Sequence, residues 1–281
     1  MSGFEERFGI FLVPEFQRMN LGLNVAPDIW WETAVRSDLG VINSTKVGHA
    51  LLAAIKWRGV VVTIQPNLPG ECSAGTWKID DDILFGDPKL TITSGPNIWY
   101  SPERFELDHA CGARYKVFGQ MHIEGHEVLL HELVHAFRQS SFKFKGTPAK
   151  KGFAFYDTTE ELYAVLVQGI YASECKTGIR ASHTGHFPID KELEGSFEFF
   201  KTGTEAFEHV KKFCTENPGL TQAISKIRLP FNPIRAYYCD PGRAAKMSRS
   251  QLAHQRDQMQ PLLRDGFYFL WTEFKKAGLA P

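Results

Sequence analysis

Apolar positions along this chain fall into two kinds of pattern. Short runs flanked by turn residues read as strands, and longer apolar-rich stretches bounded by capping residues read as helices. The stretch from Lys46 to Trp57 follows the caps Ser44-Thr45 and is stopped by Gly59, so it reads as a helix. Val60-Val61-Val62-Thr63-Ile64 then reads as a strand ended by Pro66. Gly75 to Ile79, Leu90 to Thr93 and Asn97 to Tyr100 are shorter strand candidates between Asp-, Gly- and Pro-rich turns. From Glu127 to Phe137 the chain is nearly all apolar: Val128, Leu129, Leu130, Leu133, Val134, Ala136 and Phe137 surround a few polar residues, as in a buried helix. Beyond it, Thr158 to Glu174, Lys191 to Lys201, Thr204 to Thr215 and two pieces flanking Pro261 read as helices.

This order predicts one α+β unit over 1–281. A lobe with a mostly antiparallel sheet and helices occupies 1–122, a pair of site helices 123–175, and a helical lobe 176–281. No repeat or low-complexity linker divides them. A chain of 281 residues can bury a substantial core. Its 43% hydrophobic content excludes a disordered protein. Formal charge is zero, with 32 basic and 32 acidic residues, so bulk electrostatics predicts neither a nucleic-acid nor a membrane partner. Lys143, Lys145, Lys150 and Lys151 form a local basic stretch, read as a solvated loop that could meet an acidic substrate. The five cysteines (Cys72, Cys111, Cys175, Cys214 and Cys239) are odd in number and scattered, which favours a reducing compartment over a disulfide framework. Residues 1–20 lack the basic-then-apolar layout of a secretory signal, and no segment reaches the length of a membrane span. A protein made in the cytoplasm is expected, leaving it, if at all, by a specialised route.

The polar residues inside the buried helix are the informative ones. His131-Glu132-Leu133-Val134-His135 is a His-Glu-x-x-His motif. Residues four apart on a helix share a face, so His131 and His135 can aim two imidazoles at one zinc ion. Glu132, about 100° round the axis, stands beside them, where it can take a proton from the attacking water. The bland alternative is a core helix whose histidines are satisfied by carbonyl groups. A rival frame, His126-Glu127 with His131, spaces its histidines five apart and fails.

A catalytic zinc needs a third protein ligand and one open position. A third histidine six residues beyond His135 is ruled out by Ser141. The remaining source is Glu160-Glu161-Leu162-Tyr163-Ala164, at the start of the next helix. Glu161 is the expected ligand; Glu160 is either the alternative ligand or a neighbour that orients an imidazole. Thr158-x-x-Glu161 is also a capping box, which offers a purely structural role for the same glutamate.

Together these residues resemble the NleD-like bacterial effector metallopeptidases, compact zinc proteases related to clostridial neurotoxin light chains. The likeness rests on His131-Glu132-Leu133-Val134-His135-Ala136-Phe137-Arg138 and Glu160-Glu161-Leu162, and more weakly on Gly48-His49-Ala50-Leu51-Leu52 followed by Val61-Val62-Thr63-Ile64, covering roughly residues 45 to 170. It implies a zincin-like catalytic domain, one Zn²⁺, and a monomer that hydrolyses peptide bonds of a protein substrate in a host cytosol. A housekeeping or self-processing peptidase, and a zincin-shaped binding protein that no longer catalyses, are the alternatives. The resemblance also implies an Arg-x-x-Tyr pair over the metal, for which Arg235-Ala236-Tyr237-Tyr238 is the candidate: Arg235 and Tyr238 would stabilise the oxyanion, with Tyr237 an alternative to Tyr238, and a surface arginine beside core tyrosines is the structural alternative. In zincin folds an edge strand pairs with the extended substrate; Asn97 to Tyr100 is the candidate edge, with Trp99 and Tyr100 as substrate contacts, and an ordinary packed strand is the alternative.

Overall fold

The computed structural model describes residues 7–13, 29–59, 61–67, 73–78, 95–106, 109, 122–140, 158–180, 183 and 205–239. Its elements are β1 (Ile10–Leu12), α1 (Ile29–Ser44), α2 (Lys46–Trp57), β2 (Val62–Gln65), β3 (Gly75–Lys78) and β4 (Pro96–Trp99), followed by a 3-10 turn at Pro102–Phe105. Then come α3 (Gly125–Gln139), α4 (Thr159–Cys175), α5 (Glu205–Glu216), α6 (Pro218–Ser225) and α7 (Pro233–Cys239). The fold mixes helix and sheet, as the patterning predicts. The strand expected at Leu90 to Thr93, the helix at Lys191 to Lys201, the pieces flanking Pro261, the four-lysine stretch, and Cys72 and Cys111 lie outside the described residues.

The sheet corrects one expectation. Its strand order is β1-β2-β4-β3. β1 runs parallel to β2 and β2 parallel to β4, whereas only β3 and β4 are antiparallel. Parallel neighbours need a long crossover. The chain provides one by placing α1 and α2 between β1 and β2, and another by carrying β3 past β4 to the outside. Alternation of side chains reports which face is buried, and carries no direction.

The same order moves the edge. β4 lies between β2 and β3, so Asn97 to Tyr100 is not an edge of the sheet. Tyr100 is fully buried; its hydroxyl donates to Asp38 Oδ2 at 2.5 Å and its carbonyl accepts from Trp31 Nε1 at 2.8 Å. That leaves no face of Tyr100 for a substrate, and Trp99 is half-buried on the interior strand. Among the described strands it is β3 that borders β4 on one side only and packs against α3.

Helix α1 went unread in the sequence, although Trp31, Val35, Leu39 and Ile42 form one stripe at helical spacing and are all buried. It turns into α2 through Thr45, whose hydroxyl accepts from Gly48 N at 3.0 Å as an N-cap. Gly48 is required there because a Cβ would stand 2.1 Å from the Ile42 carbonyl oxygen. A single cluster of buried apolar side chains runs from Phe8 to Ile234 and has α3 and α4 at its centre. Both are buried on nearly every face, which fits their apolar sequences. Among the described residues no helix is long and apolar enough to cross a membrane.

Candidate metal centre

Helices α3 and α4 pack side by side, and their facing side chains build the site. On α3, His131 and His135 are one turn apart, with exposures of only 4% and 5%, so neither is a surface histidine. Their Nε2 atoms are 3.1 Å from each other. Glu161 Oε2, from the first turn of α4, is 3.0 Å from His131 Nε2 and 3.3 Å from His135 Nε2. Three donor atoms from two helices thus converge in one small triangle, and this group could hold a metal ion.

The backbone explains why Glu161 is free to take part. Thr158 is the N-cap of α4, and its hydroxyl accepts from Glu161 N at 3.3 Å. The capping half that uses the backbone is therefore present. The carboxylate does not complete the box; it turns to the histidines. Glu161 is both third residue of the helix and cluster member, so the two readings of the sequence describe different atoms of one residue.

Glu160 lies outside that three-residue group and pairs with Arg138. Its carboxylate is fully buried and takes a bidentate pair from Arg138, Nε to Oε2 at 2.8 Å and Nη2 to Oε1 at 2.7 Å. Arg138 Nη1 also reaches Glu216 Oε2 at 2.8 Å, and its guanidinium lies 4.6 Å over the Tyr163 ring. This ion network ties α3, α4 and α5 together behind the cluster.

Glu132, next to His131 on α3, meets β3. The Thr76 hydroxyl lies 2.7 Å from Glu132 Oε2 and 3.0 Å from the Glu132 carbonyl oxygen, and Gln139 Nε2 donates to the Thr76 carbonyl at 3.2 Å. Burial raises the Glu132 pKa, opposed by His135 and by the Thr76 bond. A carboxylate with a raised pKa, fixed by one hydroxyl, is suited to proton transfer.

The two histidines differ in charge preference. Burial drives the His131 pKa well down, helped by Arg180, so His131 is neutral. Burial also acts against charge on His135, but the carboxylates of Glu161, Glu132 and Glu160 outweigh it and raise its pKa. Burial opposes ionisation of Glu161 too, and the two imidazoles overcome it, holding the carboxylate ionised far below the usual range. Neutral imidazole and ionised carboxylate are the metal-ligating forms.

Sequence reading missed three residues at this site. Thr76 is one. Arg180 and His183 are the others, brought back by the turn after α4, where Lys176 takes a left-handed conformation at φ 61°. Arg180 is buried with Nη2 2.7 Å from His131 Nδ1, while Gln168 Oε1 is 3.2 Å from the same nitrogen. Nδ1 can accept from Arg180 or donate to Gln168, and only the second leaves Nε2 free to bind a cation. His183 Nε2 is 3.3 Å from Glu161 Oε2, and its ring stacks on His131 at 5.5 Å between centroids and 16° between planes. The sequence signal for Arg180 and His183 is proximity to the end of the glutamate helix; Thr76 has none.

Arg235 and Tyr238 are not brought to the cluster. Both belong to α7, where Arg235 Nη1 donates to the Ser225 carbonyl at 2.9 Å and the Tyr238 hydroxyl meets Thr221 Oγ1 at 3.0 Å. Asn232 fixes this arrangement by accepting from Arg235 N at 2.9 Å and donating to the Ile224 and Ile227 carbonyls. The pair stabilises the ends of short helices in the C-terminal lobe. Tyr237 packs its ring on Phe207 and Tyr238 there as well. No protein-family model, curated protein or solved structure matches the chain.

Proposed function

We propose that the chain is a zinc-dependent endopeptidase of zincin type, with His131, His135 and Glu161 as the zinc ligands and Glu132 as the general base. The observation that carries this reading is the triangle of 3.0, 3.1 and 3.3 Å between the three donor atoms. A tetrahedral zinc site with bonds of about 2.0 Å has edges of about 3.3 Å. Two neutral imidazole nitrogens and one carboxylate also form a usual donor set for a catalytic zinc with one position open. When bound, zinc would polarise a peptide carbonyl and lower the pKa of water toward ~7.

The chain's own residues supply the rest. His131 keeps Nε2 for a metal when its Nδ1–H is donated to Gln168, in place of the Arg180 contact to the same nitrogen. Glu132 accepts one proton from the attacking water as the water oxygen bonds to the carbonyl carbon. It then passes that proton to the amide nitrogen as the C–N bond breaks, giving a carboxylic acid and an amine, and the acid's proton goes on to the amine to leave carboxylate and ammonium. Thr76 holds the Glu132 carboxylate in place through both transfers. β3, which packs on α3 and carries Thr76, is the strand best placed to pair with an extended peptide.

The resemblance to NleD-like effectors supports a host cytosolic protein as substrate, cut at a defined position. The test is cleavage of an unstructured peptide pool and of cytosolic extract by zinc-loaded wild type and by Glu132→Gln. New N-termini with wild type alone support the reading. Equal cleavage by the variant, or none by the zinc-loaded wild type, contradicts it.

A further inference from the structure

Helices α2 and α6 pack on one another, and a groove of about 1130 Å³ runs between them. None of His131, His135 and Glu161 lines it, so it is separate from the metal cluster. On one side α2 presents Ala50, Ala53, Ala54 and Trp57, spaced i, i+3, i+4, i+7 like the stripe of a helix that packs on another. On the other side stand Ala223 of α6 and Ile227 just beyond it, and Phe137 of α3 joins the lining. Trp57 is 87% exposed, the most of any large apolar side chain among the described residues. A single exposed apolar residue is ordinary, but an apolar groove that ends on an open tryptophan marks a place where something docks.

We propose that the occupant is a segment of this same chain, residues 262–277, laid along the groove between α2 and α6 as an amphipathic helix. The inference does not depend on the peptidase reading. Three observations carry it. In the sequence, Phe267, Leu270, Trp271 and Phe274 repeat the i, i+3, i+4, i+7 spacing found on α2, and Lys275, Lys276 and Gly278 are residues that end a helix. Four large apolar side chains on one face need cover, and helix-in-groove docking uses anchors at that spacing. The sizes match: the groove offers alanines on both sides, and the segment offers three aromatic rings and a leucine to fill the space above them. The tether is also in the right place. The described chain stops at Cys239 on α7, which packs on α6, and the Tyr238 hydroxyl meets Thr221 Oγ1 of α6 at 3.0 Å. Asp240 therefore leaves beside one side of the groove. The residues from there to Leu263, at about 3.3 Å each when extended, reach either end of it. A segment tethered so closely is present at an effective concentration in the mM range, which favours it over a separate partner. Because Phe137 follows His135 on the same helix, the docked segment braces the last turn of the helix that carries both histidines.

The test places the photo-cross-linker p-benzoylphenylalanine at position 57 of the full chain, where the exposed Trp57 already tolerates an open aromatic ring. The chain is irradiated, separated by mass under denaturing conditions, and its cross-linked peptides are sequenced. The expected result is a product of single-chain mass whose cross-links fall within 262–277. Leu270→Asp puts a charge on the docking face, and Ala53→Glu puts one at an exposed position in the groove. Each should lower the yield of that product by about tenfold, the factor that burial of one apolar side chain supplies. Hydrogen exchange of the full chain gives a second readout: amides of 267–274 should exchange about tenfold faster in either variant than in wild type. Cross-links within another segment of the chain overturn the proposal. So does a product of twice the chain mass, which would make the groove an interface between two copies. Absence of any cross-link, or a yield that neither substitution changes, overturns it as well. Peptidase activity plays no part in these readouts, so the two readings fail separately.

Discussion

The Thr76 hydroxyl on β3 lies 2.7 Å from the Glu132 carboxylate on α3, so a strand 56 residues upstream sets the position of the proposed base. No motif spacing announces this pair, because strand and helix meet only in the folded chain. Thr76→Val keeps the shape and removes the hydroxyl. Losing a donor to a carboxylate raises its pKa. The acid limb of the kcat/KM profile should therefore move to higher pH, and kcat should fall by about tenfold, at the low end for groups that assist proton transfer. An unchanged profile and rate would remove Thr76 from the mechanism.

Glu160 and Glu161 are neighbours with opposite duties, and substitution should separate them. Glu160→Ala leaves Arg138, 1% exposed, without its bidentate partner. Breaking a buried pair in this way costs about 3–5 kcal/mol. Denaturant unfolding should show that loss, with metal affinity retained in the folded fraction. If Glu160→Ala instead loses metal at unchanged stability, the assignment of the two glutamates is reversed.

Asp38 provides a pH test away from the metal. It is half-buried beside α3, accepts from the Tyr100 hydroxyl, and its pKa is raised to about 6, by burial first and then by Glu124 and Glu106. Gly125 permits this packing, since a Cβ there would stand 2.6 Å from the Tyr100 hydroxyl oxygen. An unfolded aspartate titrates near ~4. Below that pH both states hold the proton and the contribution of Asp38 is fully present. As pH rises the unfolded chain releases its proton first, so stability is lost progressively up to the folded pKa, by up to about 3 kcal/mol. Asp38→Asn should abolish this component: the stability of the variant relative to wild type should rise between pH 4 and 7. A difference that stays flat with pH would contradict the account.

Much of the centre was legible because its parts are local. His131, Glu132 and His135 share one helix, and Glu161 opens another, so spacing and periodicity suffice to pair them. The two residues at the margins of the family resemblance, Arg138 and Glu160, acquire a reason in the fold: they are one buried ion pair. What could not be read depends on lateral order and on turns. No sequence rule says which strand is the edge, and β3 crosses beyond β4. Thr76 and His183 carry no periodic signal, and Arg180 reaches His131 only through the turn at Lys176. Arg235 and Tyr238 have the right spacing, but Ser225, Thr221 and Asn232 supply closer partners.

The central claim is that Glu161 completes a metal site with His131 and His135. Native mass spectrometry of the zinc-reconstituted chain and of Glu161→Ala tests it most directly. The account predicts one zinc per wild-type chain, and a folded Glu161→Ala chain without zinc after the same exchange into metal-free buffer. A wild-type chain that carries no zinc, or a Glu161→Ala chain that keeps a full equivalent, would contradict it.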